Sequence, residues 1–188
     1  MGYALARAAH ERGAHVTLVS GPAGIAPPPG IEFIPVTTAE QMYVALKKHF
    51  PGATLTLMSA AVSDFKPAKP AKRKLHKGEG NAALALRKNP DLIALLAKGK
   101  KSDQVICGFA AENRGELLSS GRDKLKHKGL DALFANAVED GFGGDTNGGI
   151  LLLEDGKPVE FPVQDKNALA GALLDRLADN LFRPARKK

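Results

Sequence analysis

Thr54-Leu55-Thr56-Leu57-Met58-Ser59-Ala60 runs without a break into Ala61-Val62-Ser63-Asp64-Phe65-Lys66-Pro67. The first seven residues are a short run of threonine and apolar residues with only small polar groups, as a strand covered on both faces requires. Strands of that kind belong to parallel sheets flanked by helices. The run ends in small residues and then a carboxylate, Asp64. In open α/β sheets, ligands bind beyond the carboxyl ends of the strands. The stretch therefore predicts a fold and also a place to look for its site.

Working outward, residues 2–12 read as a helix with Ala4, Leu5, Ala8 and Ala9 on one small face, stopped at Gly13. Residues 14–20 and 31–36 read as strands joined by the stiff Pro27-Pro28-Pro29-Gly30 connector. Thr38 caps a helix to about residue 49. Residues 82–87 alternate loosely, as a strand would. In Asn89-Pro90-Asp91, Asn89 reads as a helix cap and Pro90 as the first helical residue. Residues 104–109 and 130–135 are apolar strands, with a helix over 113–128 between them. Asp155-Gly156 signals a hairpin turn between strands at 150–154 and 158–161. An amphipathic helix over 166–181 closes the chain.

Alternating strands and helices predict an α/β class: a Rossmann-like three-layer sandwich with a mostly parallel sheet and an antiparallel hairpin at one edge. The chain of 188 residues, 44% hydrophobic, is read as a single domain over 1–182 with a basic tail over 183–188. A dinucleotide-type fold opens with a strand and a glycine loop before its first helix. This chain opens on the helix, so the expectation is a domain lacking that first strand and loop.

Net charge is +7 with one cysteine and 5% aromatic residues. The charge favours anionic partners. Cys107 alone allows neither an internal disulfide nor a thiolate metal cage, and its apolar strand makes it a core residue. The absence of tryptophan and the few aromatics argue against a stacking platform for single strands. Without an apolar run of spanning length or a secretion-signal pattern, the expectation is a cytoplasmic protein with no membrane and no nucleic-acid partner. The five histidines show no metal-ligand spacing.

Polar or small groups follow several strands: Ser20 and Gly21, Ser63 and Asp64, Glu112 and Asn113, Asn136, then the Gly141 loop. Together they predict a crevice. Asp64 could hold a magnesium ion bridging phosphates, or simply cap a turn. Lys72, Arg73 and Lys74, set between Pro70 and Gly78, read as a basic arm able to close over phosphates, or as a solvated loop. Lys124 and Lys128 share one helix face, where like charges repel unless an anion offsets them.

Seven segments in order resemble the bacterial phosphopantothenoylcysteine synthetase family, the ligase half of the bifunctional coenzyme A biosynthesis protein. They are Ala60 to Pro67, Lys72-Arg73-Lys74-Leu75, Lys88-Asn89-Pro90-Asp91 and Gly108-Phe109-Ala110-Ala111-Glu112. Lys124-Leu125 with Lys128, Asp131 to Asn136, and Gly141-Phe142-Gly143 with Asp145 and Asn147 complete the set. The resemblance implies a homodimeric ligase that joins 4′-phosphopantothenate to L-cysteine, with CTP as co-substrate and Mg²⁺. It implies Asp64 and Lys72 as catalytic residues on the phosphates, Asp64 also as metal ligand. Lys74 is the alternative to Lys72. Nucleotide contacts are implied for Met58, Ser59 and Ala60, for Pro90, Asp91, Leu92 and Ile93 at a helix N-terminus, and for Phe109, Lys124 and Lys128. Family members carry a strand and an Ile-Ser-Asn-x-Ser-Ser-Gly segment before the Met-Gly at which this sequence opens. Weakened CTP binding and poor ligase activity are therefore expected of this polypeptide, with no flavin-binding decarboxylase half. The competing class, an NAD(P)- or flavin-linked Rossmann oxidoreductase, needs a glycine fingerprint and an acidic residue after the second strand. Ser20-Gly21-Pro22 stands there instead.

Overall fold

A computed structural model describes residues 1–70, 83–141, 144–154 and 156–181. Helix α1 (Gly2–Glu11) buries Ala4, Leu5, Ala6 and Ala8. Strands β1 (Thr17–Ser20) and β2 (Glu32–Pro35) pair in parallel, Thr17 opposite Glu32. Helix α2 (Ala39–His49) begins with a reciprocal cap. The Thr38 hydroxyl accepts the Gln41 N–H at 3.2 Å, and the Gln41 amide oxygen accepts the Thr38 N–H at 3.1 Å.

Next come β3 (Leu55–Met58), β4 (Phe65–Pro67) and β5 (Leu86–Lys88), then α3 (Leu92–Lys98) and β6 (Val105–Glu112). Helix α4 (Leu117–Lys128) ends at Gly129, whose φ of 64° is the left-handed conformation a glycine cap adopts at low cost. The chain finishes with β7 (Ala132–Ala137), the short α5 (Val138–Gly141), β8 (Thr146–Leu153), β9 (Val159–Asp165) and α6 (Lys166–Leu181).

The main sheet has the order β3-β6-β7-β8-β9. The first three strands are parallel, and β8 and β9 run antiparallel at one edge. This is the expected mostly parallel sheet with its edge hairpin. Its side chains alternate between two cores, as a pleated strand covered on both faces must. Ile106, Leu133, Ala135 and Leu152 face a cluster with Ile93, Leu96 and Leu125 of α3 and α4. Cys107, Phe134, Leu151 and Leu153 face Leu169, Leu173 and Leu177 of α6. Leu5 and Ala8 of α1 extend that second layer through Ala170 and Leu174.

Several expectations need correction. β1 and β2 form a separate two-stranded sheet, and α1 packs against both β1 and β3 without those strands hydrogen-bonding each other. The foot of the basic arm is an antiparallel ribbon, with Phe65 opposite Lys88 and Pro67 opposite Leu86. Lys66 on that ribbon is ion-paired to Glu40 of α2. The hairpin strands β8 and β9 are longer than read. The third helix is capped by Asp91, not Asn89, and Pro90 precedes it. Asn136 lies inside β7, buried, and Glu112 is the last residue of β6. Residues 71–82, with Lys72 and Lys74, fall outside the described residues, as do Phe142 and Gly143 and the tail over 183–188.

Candidate functional site

A cavity opens where β3 and β6 end. Leaving β3, Met58, Ala60 and Ala61 form one wall, and Val62, Ser63 and Asp64 continue it. Gly108, Phe109, Ala110 and Ala111 of the neighbouring β6 line it as well. Pro90, Asp91, Leu92 and Ile93 enter from the start of α3, and Lys124 and Lys128 from α4. Ten of the twelve residues proposed for nucleotide contact therefore line one cavity. Ser59 is not on its wall; a Cβ built on Gly2 would lie 2.7 Å from the Ser59 hydroxyl, so that side chain faces the start of α1. Lys72 is the remaining one.

The loop bearing Asp64 is tied down from the arm side. Asn89 donates its backbone N–H to the Asp64 carbonyl at 2.7 Å and its side-chain amide to the Ser63 carbonyl at 2.8 Å. That second bond explains why Asn89 does not cap the helix. Asp91 takes the cap instead: one carboxylate oxygen accepts the Ala94 N–H at 3.2 Å, and the other lies 2.9 Å from the Lys128 ammonium. The α3 terminus is therefore already supplied with a negative charge. It is a weaker anion attractor than a bare helix end.

Lys124 is ion-paired to Glu112, whose side chain is only 10% exposed. The two lysines one turn apart on α4 are thus each matched by a carboxylate from another element. Sequence reasoning missed both partners, because Glu112 is twelve residues and Asp91 thirty-seven residues from the lysine it meets.

Among the described residues, no side chain pairs with the exposed Asp64 carboxylate, and no three His, Cys, Asp or Glu residues cluster as a metal cage. One free carboxylate beside two lysines suits Mg²⁺, which keeps waters and shares its shell with substrate phosphates. It does not suit zinc, which needs several protein ligands. Cys107 is fully buried on the opposite face of β6, and burial pushes its thiol up to about 12. It takes no part in the site. Ser20, Gly21, Asn113 and Asn136 do not line the cavity, so the crevice involves fewer strand exits than expected.

A Rossmann-like sandwich with a cavity at its strand exits, lined by two lysines and an unpaired carboxylate, belongs to the class of α/β proteins that bind ligands beyond the carboxyl ends of their strands. Comparison with known proteins narrows that class. Residues 1–181 match the model for the DNA/pantothenate metabolism flavoprotein C-terminal domain, and the chain belongs to that family. It is 40% identical over 188 aligned positions to the coenzyme A biosynthesis bifunctional protein CoaBC of Mycobacterium tuberculosis, covering 94% of this chain and 45% of that protein. It is 37% identical to the CoaBC protein of Bacillus subtilis, covering 95% of this chain and 44% of that one. The chain thus spans just under half the length of the curated relatives it matches. Among solved structures, the C-terminal domain of a CoaBC protein superposes with a TM-score of 0.81 at 27% identity, covering 96% of this chain and 82% of that one.

Proposed function

We propose that this chain is the ligase domain of coenzyme A biosynthesis, joining 4′-phosphopantothenate to L-cysteine with CTP as the activating co-substrate. The observation that carries the reading is the convergence of Asp64, Lys124 and Lys128 on one small-walled cavity, in a chain of this family.

A carboxylate is a poor acyl donor. In the first half-reaction the carboxylate oxygen of phosphopantothenate attacks the α-phosphorus of CTP. An acyl-cytidylate forms and pyrophosphate leaves. In the second, the cysteine amine attacks the acyl carbon, loses a proton as the amide forms, and CMP departs. The protein's part is to position and to stabilise charge. Lys124 and Lys128 offer cations to the phosphates, and Lys72 or Lys74 would add another from the arm. The backbone of Met58 and Ala60, the Pro90 to Ile93 turn and the Phe109 side chain enclose the nucleoside. Asp64 is the residue that would hold Mg²⁺, which supplies charge neutralisation between phosphate oxygens. The proposal includes a cytoplasmic setting and a homodimer; no described helix is long and apolar enough to cross a membrane.

Amide chemical-shift mapping tests the location. CTP with Mg²⁺ should move the signals of Ala60, Asp64, Ala110 and Lys124 and leave those of β9 still. Shifts confined to β1 and the Ser20-Gly21 turn would instead point to a dinucleotide mode and overturn the reading.

A further inference from the structure

Glu112 does not line the cavity, yet its carboxylate holds a side chain that does. It ends β6 with its side chain nine-tenths buried, and the cation it meets is Lys124, itself 42% exposed. Such a pair adds little to stability, because solvent screens the lysine end while the carboxylate loses its hydration. Stability alone would be served as well by an apolar side chain. What the pair does is restrict a long, flexible stem. A free lysine must give up rotamers when a ligand arrives, and that loss is subtracted from affinity. A lysine already fixed at the cavity wall has given them up on folding. Asp91 has the same relation to Lys128 at 2.9 Å, while also capping α3.

Resting on the nucleotide reading above, we propose that Glu112 is a positioning residue of the phosphate site. It acts through Lys124, setting the ammonium where a ligand phosphate will meet it. The role differs from that of a ligand contact, since Glu112 carries the wrong charge to touch a phosphate and stands outside the cavity.

A double-mutant cycle tests this. Calorimetry with CTP and Mg²⁺, and in parallel with inorganic triphosphate, is run on the wild-type chain, Glu112→Gln, Lys124→Met and the double variant. Glu112→Gln should weaken binding about fivefold or more in the wild-type background and change nothing further once Lys124 is gone. Lys124 should also be acylated several-fold faster in Glu112→Gln than in wild type, measured against the exposed Lys126 of the same helix. Equal losses in both backgrounds would mean that Glu112 acts on the fold and not on Lys124, and would overturn the proposal. So would unchanged or tighter binding, or unchanged acylation. If the wild-type chain binds neither CTP nor triphosphate, the nucleotide reading falls and this proposal falls with it. If it binds both and Glu112→Gln binds equally, only the proposal falls.

Discussion

Replacing Gln104 by methionine should remove more stability than its single position suggests. Gln104 is 5% exposed and precedes β6. Its amide nitrogen donates to the Phe50 carbonyl at 2.6 Å and to the Ala53 carbonyl at 2.8 Å, and its amide oxygen accepts the Lys101 N–H at 3.0 Å. One side chain thus closes the turn before β3 onto the start of β6, the two strands whose far ends form the cavity. Methionine nearly conserves the volume, so little of the loss should come from a cavity. The loss should come from the Ala53 carbonyl and the Lys101 N–H left without a partner, together with one of the two bonds at the Phe50 carbonyl, which keeps the Ala53 N–H at 3.0 Å. Each such group costs about 1–3 kcal/mol when buried. Both orphaned groups are only partly buried, so each counts near the low end of that range, and with the lost Phe50 bond a total of about 3 kcal/mol is expected. For a domain of this size that corresponds to a melting temperature lower by roughly 6–12 °C. Urea unfolding should show a lower midpoint at an unchanged slope. A loss below about 1 kcal/mol would mean that water satisfies these groups, and that Gln104 does not staple the two strands.

Asn89, Cys107 and Asp165 carry further expected outcomes. Asn89→Ala removes the bond to the Ser63 carbonyl; calorimetry should show weaker binding of CTP with Mg²⁺, with a stability loss of only about 1 kcal/mol by urea unfolding. Cys107, with its thiol raised from 9.0 to about 12 by burial, should resist thiol reagents at pH 8 in the native protein and react at once in urea. The same raised value means the unfolded chain loses this proton first as pH rises, so the Cys107 contribution to stability should decline between pH 9.0 and about 12, an effect a Cys107→Ala variant lacks. Asp165 accepts the N–H groups of Asn167 and Ala168 at the start of α6, which holds its carboxyl below the usual value. Its contribution is present above the ordinary carboxylate range and lost as pH falls through the lowered value, so Asp165→Ala and wild type should converge in melting temperature in acid.

Periodicity made most of the architecture legible. Residues 166–181 were readable to the residue because a closing helix of that length shows its apolar stripe several times over. The strands were located, but the first three were read too long, and 104–109, 150–154 and 158–161 too short. Asn136 and Glu112 are polar, yet parallel pairing with the neighbouring strand keeps them in the ladder, and pairing is a tertiary fact that a single segment does not carry. Of the β4-β5 ribbon only the second strand was read, and too early, at 82–87; Pro67 and the neighbouring cations hid the first. The Asn89-Pro90 signal misplaced a helix start by two residues because the amide that could have capped it bonds Ser63 instead. For the site, the cavity wall was readable as strand exits. The carboxylates that hold its lysines were not, since they come from β6 and from the start of α3.

A cytidine nucleotide with magnesium is the ligand proposed for this cavity. Thermal melting of the chain with CTP, ATP, NADPH and duplex DNA, each with Mg²⁺, tests it directly. CTP should raise the melting temperature most, and Asp64→Asn should abolish the rise. A larger rise with NADPH or DNA, or a CTP shift that survives Asp64→Asn, would contradict the proposal.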